Sequence, residues 1–236
     1  FILCHPHNPT GRQWTEEELT FMGECCRRHG VWIISDEIHC DLLRTGKQHI
    51  PMGKVMKDYP RLITCMAPSK TFNMAGLMLS NIIIADPTLR QIWLKRHYNF
   101  DNPLSLVAAE AAYTGGAPWL QALQIYLDDN MAYVKAYLTK HLPLARFHIP
   151  DATYLAWIDL SAYFDEVTDL THYFATHVGL LVEGEQQFVA NGAGYVRLNL
   201  ACPRTKVVKG MERLAEGIRH LDVVDDTEKV RAPYYS

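Results

Sequence analysis

"FILCHPHNPTGRQWTEEELTFMGECCRRHGVWIISDE", Phe1 to Glu37, holds two short apolar runs joined by a turn and a helical segment. The first run, Phe1 to His5, is closed by "PHNPTGR", where Pro6, Asn8, Pro9 and Gly11 all favour a turn. Thr15 followed by Glu18 is the signature of a capping box, so a helix is expected from there to about Gly30. The second run, "VWIISDE" from Val31, is β-branched and becomes acidic at its end. Strand, turn, helix and strand in this order predict an α/β unit.

Working outward, Leu62 to Met66 and Leu77 to Ala85 supply further candidate strands, all read as central and buried, with helices expected near 15–29, 87–98 and 103–114. The sheet is therefore expected to be largely parallel, with ligands bound outside the carboxyl ends of its strands, where Asn8 and Asp36 fall. From about Trp119 a helical pattern runs to His141, followed by "FHIP", "YLAWIDL", a helix near 168–178, "YVRLNL" and a last helix over about 204–220. These read as a second, smaller α+β domain. "TGGAP", Thr114 to Pro118, interrupts the helical patterning and suggests the boundary, giving domains 1–118 and 119–221 and a loosely ordered tail over 222–236.

Composition narrows the function. The chain has 236 residues, 48% of them hydrophobic, and a net charge of -3. It can bury a sizeable core, and without a run of Lys or Arg it lacks the footprint of a nucleic-acid or anionic-membrane binder. No apolar stretch is long enough to span a bilayer. A small-molecule partner is expected, with no nucleic acid and no membrane. Six scattered cysteines without a CxxC pair fit a reducing cytoplasm better than a disulfide framework, and the His5, His7, His39 and Cys40 positions lack metal-ligand spacing. No metal site is expected. The opening has neither an initiator Met nor a basic-then-apolar leader, so the chain reads as a fragment without a signal peptide.

Candidate chemistry gathers at four places. Lys70, in "MAPSKTFNMAGL", lies on an expected loop between buried strands, where desolvation would lower the amine pKa and make it nucleophilic. The plain alternative is a solvated loop lysine. Asp36 ends a strand, where a carboxylate could pair with a protonated pyridine nitrogen or simply cap a turn. Asn8 could hold a ring oxygen or make the Asn-Pro turn. Arg197 interrupts an alternating strand with a guanidinium suited to a carboxylate, or else faces solvent. Gly192 and Gly194 before it suggest either a close backbone approach to a ligand or ordinary turns.

In order and spacing, "HNPTG", "ISDEIH", "APSKTFNMAGL" and "VRLNLACPR" resemble the class I/II aminotransferase superfamily of fold type I pyridoxal-phosphate enzymes, and within it the MalY/PatB-type cystathionine β-lyase branch. "GAPWLQALQIYLDDN" and "TYLAWIDL" resemble the same branch, so the likeness covers residues 1 to about 221. It implies the second half of a large α/β domain plus a small C-terminal domain, with pyridoxal 5'-phosphate as cofactor. It further implies that Lys70 is the Schiff-base lysine and that Asp36 pairs with the pyridine nitrogen. Asn8 and His39 would flank the phenolic oxygen, Ser69 would reach the phosphate, and Arg197 would grip the substrate carboxylate. His39 stands where transaminase relatives usually carry Tyr. Two phosphate ligands of the aminotransferase pattern are missing: Ala67 replaces a Ser, and "NMAGLMLS" contains no Arg.

The reaction so implied is β-elimination from a small sulfur-containing amino acid, giving pyruvate, ammonia and a thiol, in a cytoplasmic enzyme that is a homodimer at full length. An aminotransferase and a non-catalytic regulatory module of the same fold are the alternatives. Because relatives carry the ring-stacking aromatic, a phosphate turn and much of the dimer interface in an N-terminal portion, residues 1–236 alone are expected to be inactive.

Overall fold

The computed structural model describes residues 1–97, 101–164, 168–188 and 192–231, with side chains described up to 221. The chain divides into two compact units, residues 1–128 with 150–153, and residues 129–149 with 154–236.

The first unit begins with strand β1 (Ile2–Cys4), helix α1 (Glu16–His29) and strand β2 (Ile33–Asp36). Helix α1 starts where the sequence places it. The Thr15 hydroxyl accepts from the Glu18 amide and the Glu18 carboxylate accepts from the Thr15 amide, a complete capping box. At the other end Gly30 takes the left-handed conformation, with φ of 62°, that closes a helix without a Cβ penalty. Glu16, Glu17 and Glu18 in the first turn and Arg27, Arg28 and His29 in the last complement the helix dipole.

After β2 come the short helix α2 (Met52–Val55), strand β3 (Leu62–Met66), the one-turn helix α3 (Pro68–Thr71), strand β4 (Asn81–Ile84) and helices α4 (Pro87–Arg96) and α5 (Pro103–Gly115). The sheet order is β1-β2-β3-β4, with β1, β2 and β3 parallel and β4 antiparallel to β3. One sheet face carries Leu3, Ile33 and Leu62 into a core completed by Leu19 and Cys26 of α1, Met52 and Met56, and Tyr59. At roughly 25 cal/mol per Å² of apolar surface, covering that face is the main stabilisation α1 contributes.

Two expectations change here. Strand β4 is not a buried central strand: Ile82 and Ile83 are exposed, and it runs opposite to its neighbour. Between β3 and β4 the chain forms only α3 and a 3-10 turn, Ala75–Leu77, and reverses through Asn73 and Met78 at positive φ. A parallel return needs a helical crossover packed on the sheet, which this segment does not form. The end of α4 expected at 98 falls outside the described residues; the helix ends at Arg96.

Helix α6 (Ala117–His141) runs from the first unit into the second. The glycines at 115 and 116 do separate α5 from α6, but the compact units part at 128/129, inside α6. In the second unit, β5 (Leu155–Asp159) pairs antiparallel with β6 (Tyr195–Asn199), helix α7 (Leu170–Val178) lies between them in sequence, and α8 (Arg204–Arg231) follows. Met131, Val134 and Leu138 of α6, Ala156 and Ile158 of β5, Phe174 of α7, Val196 and Leu198 of β6, and Met211 and Leu214 of α8 share one core. Helix α8 passes the end expected near 220 and continues through Arg231, because no Gly or Pro interrupts "HLDVVDDTEKVR" before Pro233. Of the expected loose tail, residues 232–236 lie outside the described residues. No helix among the described residues is long and apolar enough to cross a membrane.

Glycine 11 closes the turn after β1. Its φ is +64°, its N–H donates to the His7 carbonyl, and a Cβ built on it would lie 2.6 Å from the Ala152 carbonyl oxygen and 2.4 Å from Pro150 Cβ. Gly11→Ala therefore combines left-handed strain with overpacking and should destabilise the protein by roughly 2–5 kcal/mol. The shift in denaturant midpoint measures it.

Candidate active site

Parallel pairing in register brings three strand ends level. Cys4 lies opposite Asp36, and Asp36 opposite Cys65, so the chain leaves β1, β2 and β3 at the same edge of the sheet. Ligands in open parallel sheets are held beyond such ends.

From β1 the chain enters the "HNPTG" turn. Asn8 is half-buried, and its backbone N–H points back to Cys4 Sγ at 3.4 Å. From β2 it enters a tight turn. Asp36, half-buried, accepts at Oδ1 from the Ile38 amide at 3.2 Å, leaving its second carboxylate oxygen for another donor. His39 is 3% exposed and its carbonyl accepts from Leu42 N–H, which fixes the turn that carries it. From β3 the chain enters α3, which holds Ser69 and Lys70, both half-buried. The loop expected here is instead a single helical turn: Pro68, with its preset φ, starts it at the first helical position, and Phe72 N–H closes it on the Pro68 carbonyl at 2.9 Å.

A residue not singled out from the sequence ties two of these pieces together. Asp41 Oδ2 accepts from the Thr71 hydroxyl at 3.0 Å, and the Asp41 carbonyl accepts from Gln124 Nε2 at 2.9 Å. The lysine-bearing turn is thereby fastened to the His39-bearing turn and to α6. The only signal in the sequence is an acidic residue two positions after His39, which looks like any surface charge. Tyr113 adds a further group: its hydroxyl accepts from Asn81 Nδ2 at 3.2 Å and its ring meets Phe72 edge-on. Burial, and then the Asp41 charge, push its pKa up.

The thiols around this edge are quiet. Burial, reinforced by Asp41 and Glu37, pushes Cys40 up to about 12, and burial raises Cys4 and Cys65 as well, with Asp36 adding to both. They remain protonated and non-nucleophilic at neutral pH. Among the described residues, no group of three or more His, Cys, Asp or Glu side chains is arranged to hold a metal ion.

Asp36, at the end of β2, and Asn8, His39, Ser69 and Lys70, on the connections that follow the strands, thus lie at one edge of the first unit. Arg197 belongs to the second, on β6 opposite Trp157. Its guanidinium forms an ion pair with the Glu183 carboxylate and lies 5.3 Å from the centre of the Phe188 ring. The two residues also exchange backbone hydrogen bonds, Arg197 N–H to the Glu183 carbonyl at 2.8 Å and the reverse at 3.3 Å. A carboxylate-binding arginine here therefore already holds one carboxylate, a partner 14 residues upstream that the strand pattern around Arg197 could not reveal. Gly194, suspected of approaching a ligand, instead approaches protein: at φ of +75°, a Cβ on it would lie 2.8 Å from Ser161 Cα.

Chemically, the first unit offers an amine, a carboxylate, an amide, an imidazole and a hydroxyl at one sheet edge.

Comparison with known proteins agrees on the family. Residues 1–214 match the model of the "Aminotransferase class I and II" family. The chain is 40% identical over 219 residues to cystathionine β-lyase PatB of Bacillus subtilis, covering 91% of this chain and 57% of that protein. It is 39% identical over 223 residues to protein MalY of Escherichia coli, covering 92% and 57%. Among solved structures it is similar to the PLP-bound C-S lyase from Staphylococcus hominis, with TM-score 0.90, 48% identity, and coverage of 92% of this chain and 57% of that one. Cystalysin from Treponema denticola, which contains a pyridoxal 5'-phosphate cofactor, superimposes with TM-score 0.89 at 30% identity, covering 93% and 57%. The chain therefore spans a little over half the length of these relatives, and on the strength of the family match it belongs to the class I and II aminotransferases.

Proposed function

We propose that the protein is a pyridoxal-phosphate-dependent carbon-sulfur β-lyase, cleaving a cysteine S-conjugate such as cystathionine to pyruvate, ammonia and a thiol. The observation that carries this reading is the level alignment of Asp36, at the end of β2, with the end of β3 that leads into the Lys70 turn. The family supplies the cofactor class. The preference for a lyase rests on relatives named cystathionine β-lyase and C-S lyase, and on His39. The whole protein is taken to act in the cytoplasm as a homodimer on a small sulfur-containing amino acid. Free cysteines at all six positions are compatible with that compartment.

The residues fit the cofactor's needs. Lys70 Nζ is the amine that would hold its aldehyde, Asp36 would keep a proton on its ring nitrogen, Asn8 and His39 would hydrogen-bond its phenolic oxygen, and Ser69 would reach its phosphate. With Ala67 and no arginine in "NMAGLMLS", the phosphate must draw further ligands from elsewhere. When bound, pyridoxal phosphate supplies an aldehyde for the substrate amine and an electron-poor ring that accepts the electron pair left at Cα.

The remaining work falls to the protein. Arg197 would orient the substrate by its α-carboxylate, which must displace Glu183 or share the guanidinium with it. Lys70 Nζ would act as the base that removes the Cα proton. The Cβ–S bond then breaks and the sulfur leaves as a thiolate that takes up a proton. Water completes the conversion of the three-carbon remainder to pyruvate and ammonia.

Lys70→Ala in the intact gene product should lose nearly all turnover, since the proton transfer alone is worth about 10²–10⁴-fold. Arg197→Ala should weaken amino-acid binding by roughly 2–5 kcal/mol while leaving cofactor content unchanged, measured as KM against bound pyridoxal phosphate. The reaction class is decided by assaying pyruvate and thiol with cystathionine as substrate and no keto acid added. Sustained, equimolar release over many turnovers is expected. One turnover followed by arrest would point to an aminotransferase, and no cofactor uptake at all to a non-catalytic module.

A further inference from the structure

Directly behind Asp36 lies a buried polar group that the proposed chemistry does not use. Glu37 is 0% exposed, as is Ser35, while Asp36 between them turns to the opposite, half-exposed side. Glu37 Oε1 accepts from the Ser35 hydroxyl at 2.9 Å and from the Met52 amide at 3.0 Å; Oε2 lies 2.6 Å from His49 Nε2. The His49 ring is tilted against that of His5, centroids 4.6 Å apart. His5, itself 0% exposed, places Nε2 3.0 Å from the Ile50 carbonyl and Nδ1 3.4 Å from the Trp14 amide.

Backbone partners settle the His5 proton. A carbonyl can only accept and an amide can only donate, so Nε2 carries the hydrogen and Nδ1 the lone pair, which is the neutral ring. Burial first, and then His49, push the His5 pKa down, in keeping with that form. His49 Nδ1 is buried without a hydrogen-bond partner, so the hydrogen bond of this ring runs from Nε2 to the Glu37 carboxylate.

The network closes two brackets. Ser35 and Glu37 are bonded across Asp36. His5 and Trp14 are bonded across the turn that holds Asn8, and Trp14 Nε1 adds a 3.0 Å bond to the Cys4 carbonyl. His49, with its ring tilted against His5 of one bracket and its Nε2 bonded to the other, joins them. Apolar side chains would fill this space without the cost of burying a carboxylate, whereas a polar network in which both Glu37 oxygens have partners selects a single geometry.

We propose that Ser35, Glu37, His49 and His5 are positioning residues that hold Asp36 and Asn8 in register with each other for the cofactor, without touching it. This rests on the assignment of Asp36 and Asn8 to pyridoxal phosphate.

The test compares His49→Leu, His49→Gln and Ser35→Ala in the intact protein, reading equilibrium affinity for pyridoxal phosphate, the visible band of the bound cofactor, and thermal stability. Leucine removes the donor to Glu37; the glutamine amide can replace it. His49→Leu should weaken pyridoxal-phosphate binding about tenfold and shift the band, the scale of one charge-assisted hydrogen bond, while His49→Gln stays within about threefold of wild type. If His49→Leu gives no folded protein, Ser35→Ala decides, since it removes one donor of three: weakening beyond about threefold supports the proposal. Unchanged affinity and spectrum in whichever of these variants folds, even with a lowered melting temperature, would reduce the network to fold support and overturn it. A wild-type protein that takes up no pyridoxal phosphate would instead overturn the assignment beneath it.

Discussion

Everything at the candidate site depends on the in-register parallel pairing of β1, β2 and β3. Parallel neighbours must be joined by a crossover, and α1, held by its capping box and by Gly30, provides the first of these. Because the three strands end level, the turns that follow them compete for the same space, and each is fastened by hydrogen bonds that cross from one to another. Thr71 to Asp41 joins the third turn to the second; Trp14 to His5 closes the first. The sheet sets the position of the chemistry, and these few polar contacts set its precision.

Signals in the sequence were legible wherever they act over a few residues. The Thr15/Glu18 pair and Gly30 delimited α1, because capping is a short-range contest between side chain and backbone. The motifs around Asn8, Asp36 and Lys70 pointed to strand ends for the same reason: apolar runs closed by turn residues have few other arrangements. What escaped was long-range or directional. Nothing in "NIII" says that β4 lies on the edge and runs antiparallel, since its apolar character is that of a central strand. Glu183 stands 14 residues from Arg197, Asp41 and Thr71 are 30 apart, and Glu37 finds His49 and Met52 across a connection whose path no local pattern encodes.

Among the described residues of the second unit, two arginine-to-carboxylate arrangements differ in how far the carboxylate is exposed. Arg146, on the approach to β5, donates to the single oxygen Asp159 Oδ2 through Nε at 2.8 Å and through a second nitrogen at 2.7 Å, and the carboxylate it holds is 4% exposed. With Ser161 also donating to Asp159, that carboxyl is held below its ordinary range despite burial. Such a pair is committed to structure. Arg197 meets a Glu183 whose side chain is 43% exposed, and a carboxylate so hydrated can exchange for another.

The raised thiols bear on survival in the protein's own chemical surroundings. Exchange of a cysteine with any disulfide in its surroundings proceeds only through a thiolate. Cys4, Cys40 and Cys65 border the strand ends, yet burial and the neighbouring carboxylates keep each of them in the protonated form. Burial first, and then the charge of the carboxylates beside each thiol, leave the sulfur along this edge of the sheet closed to exchange.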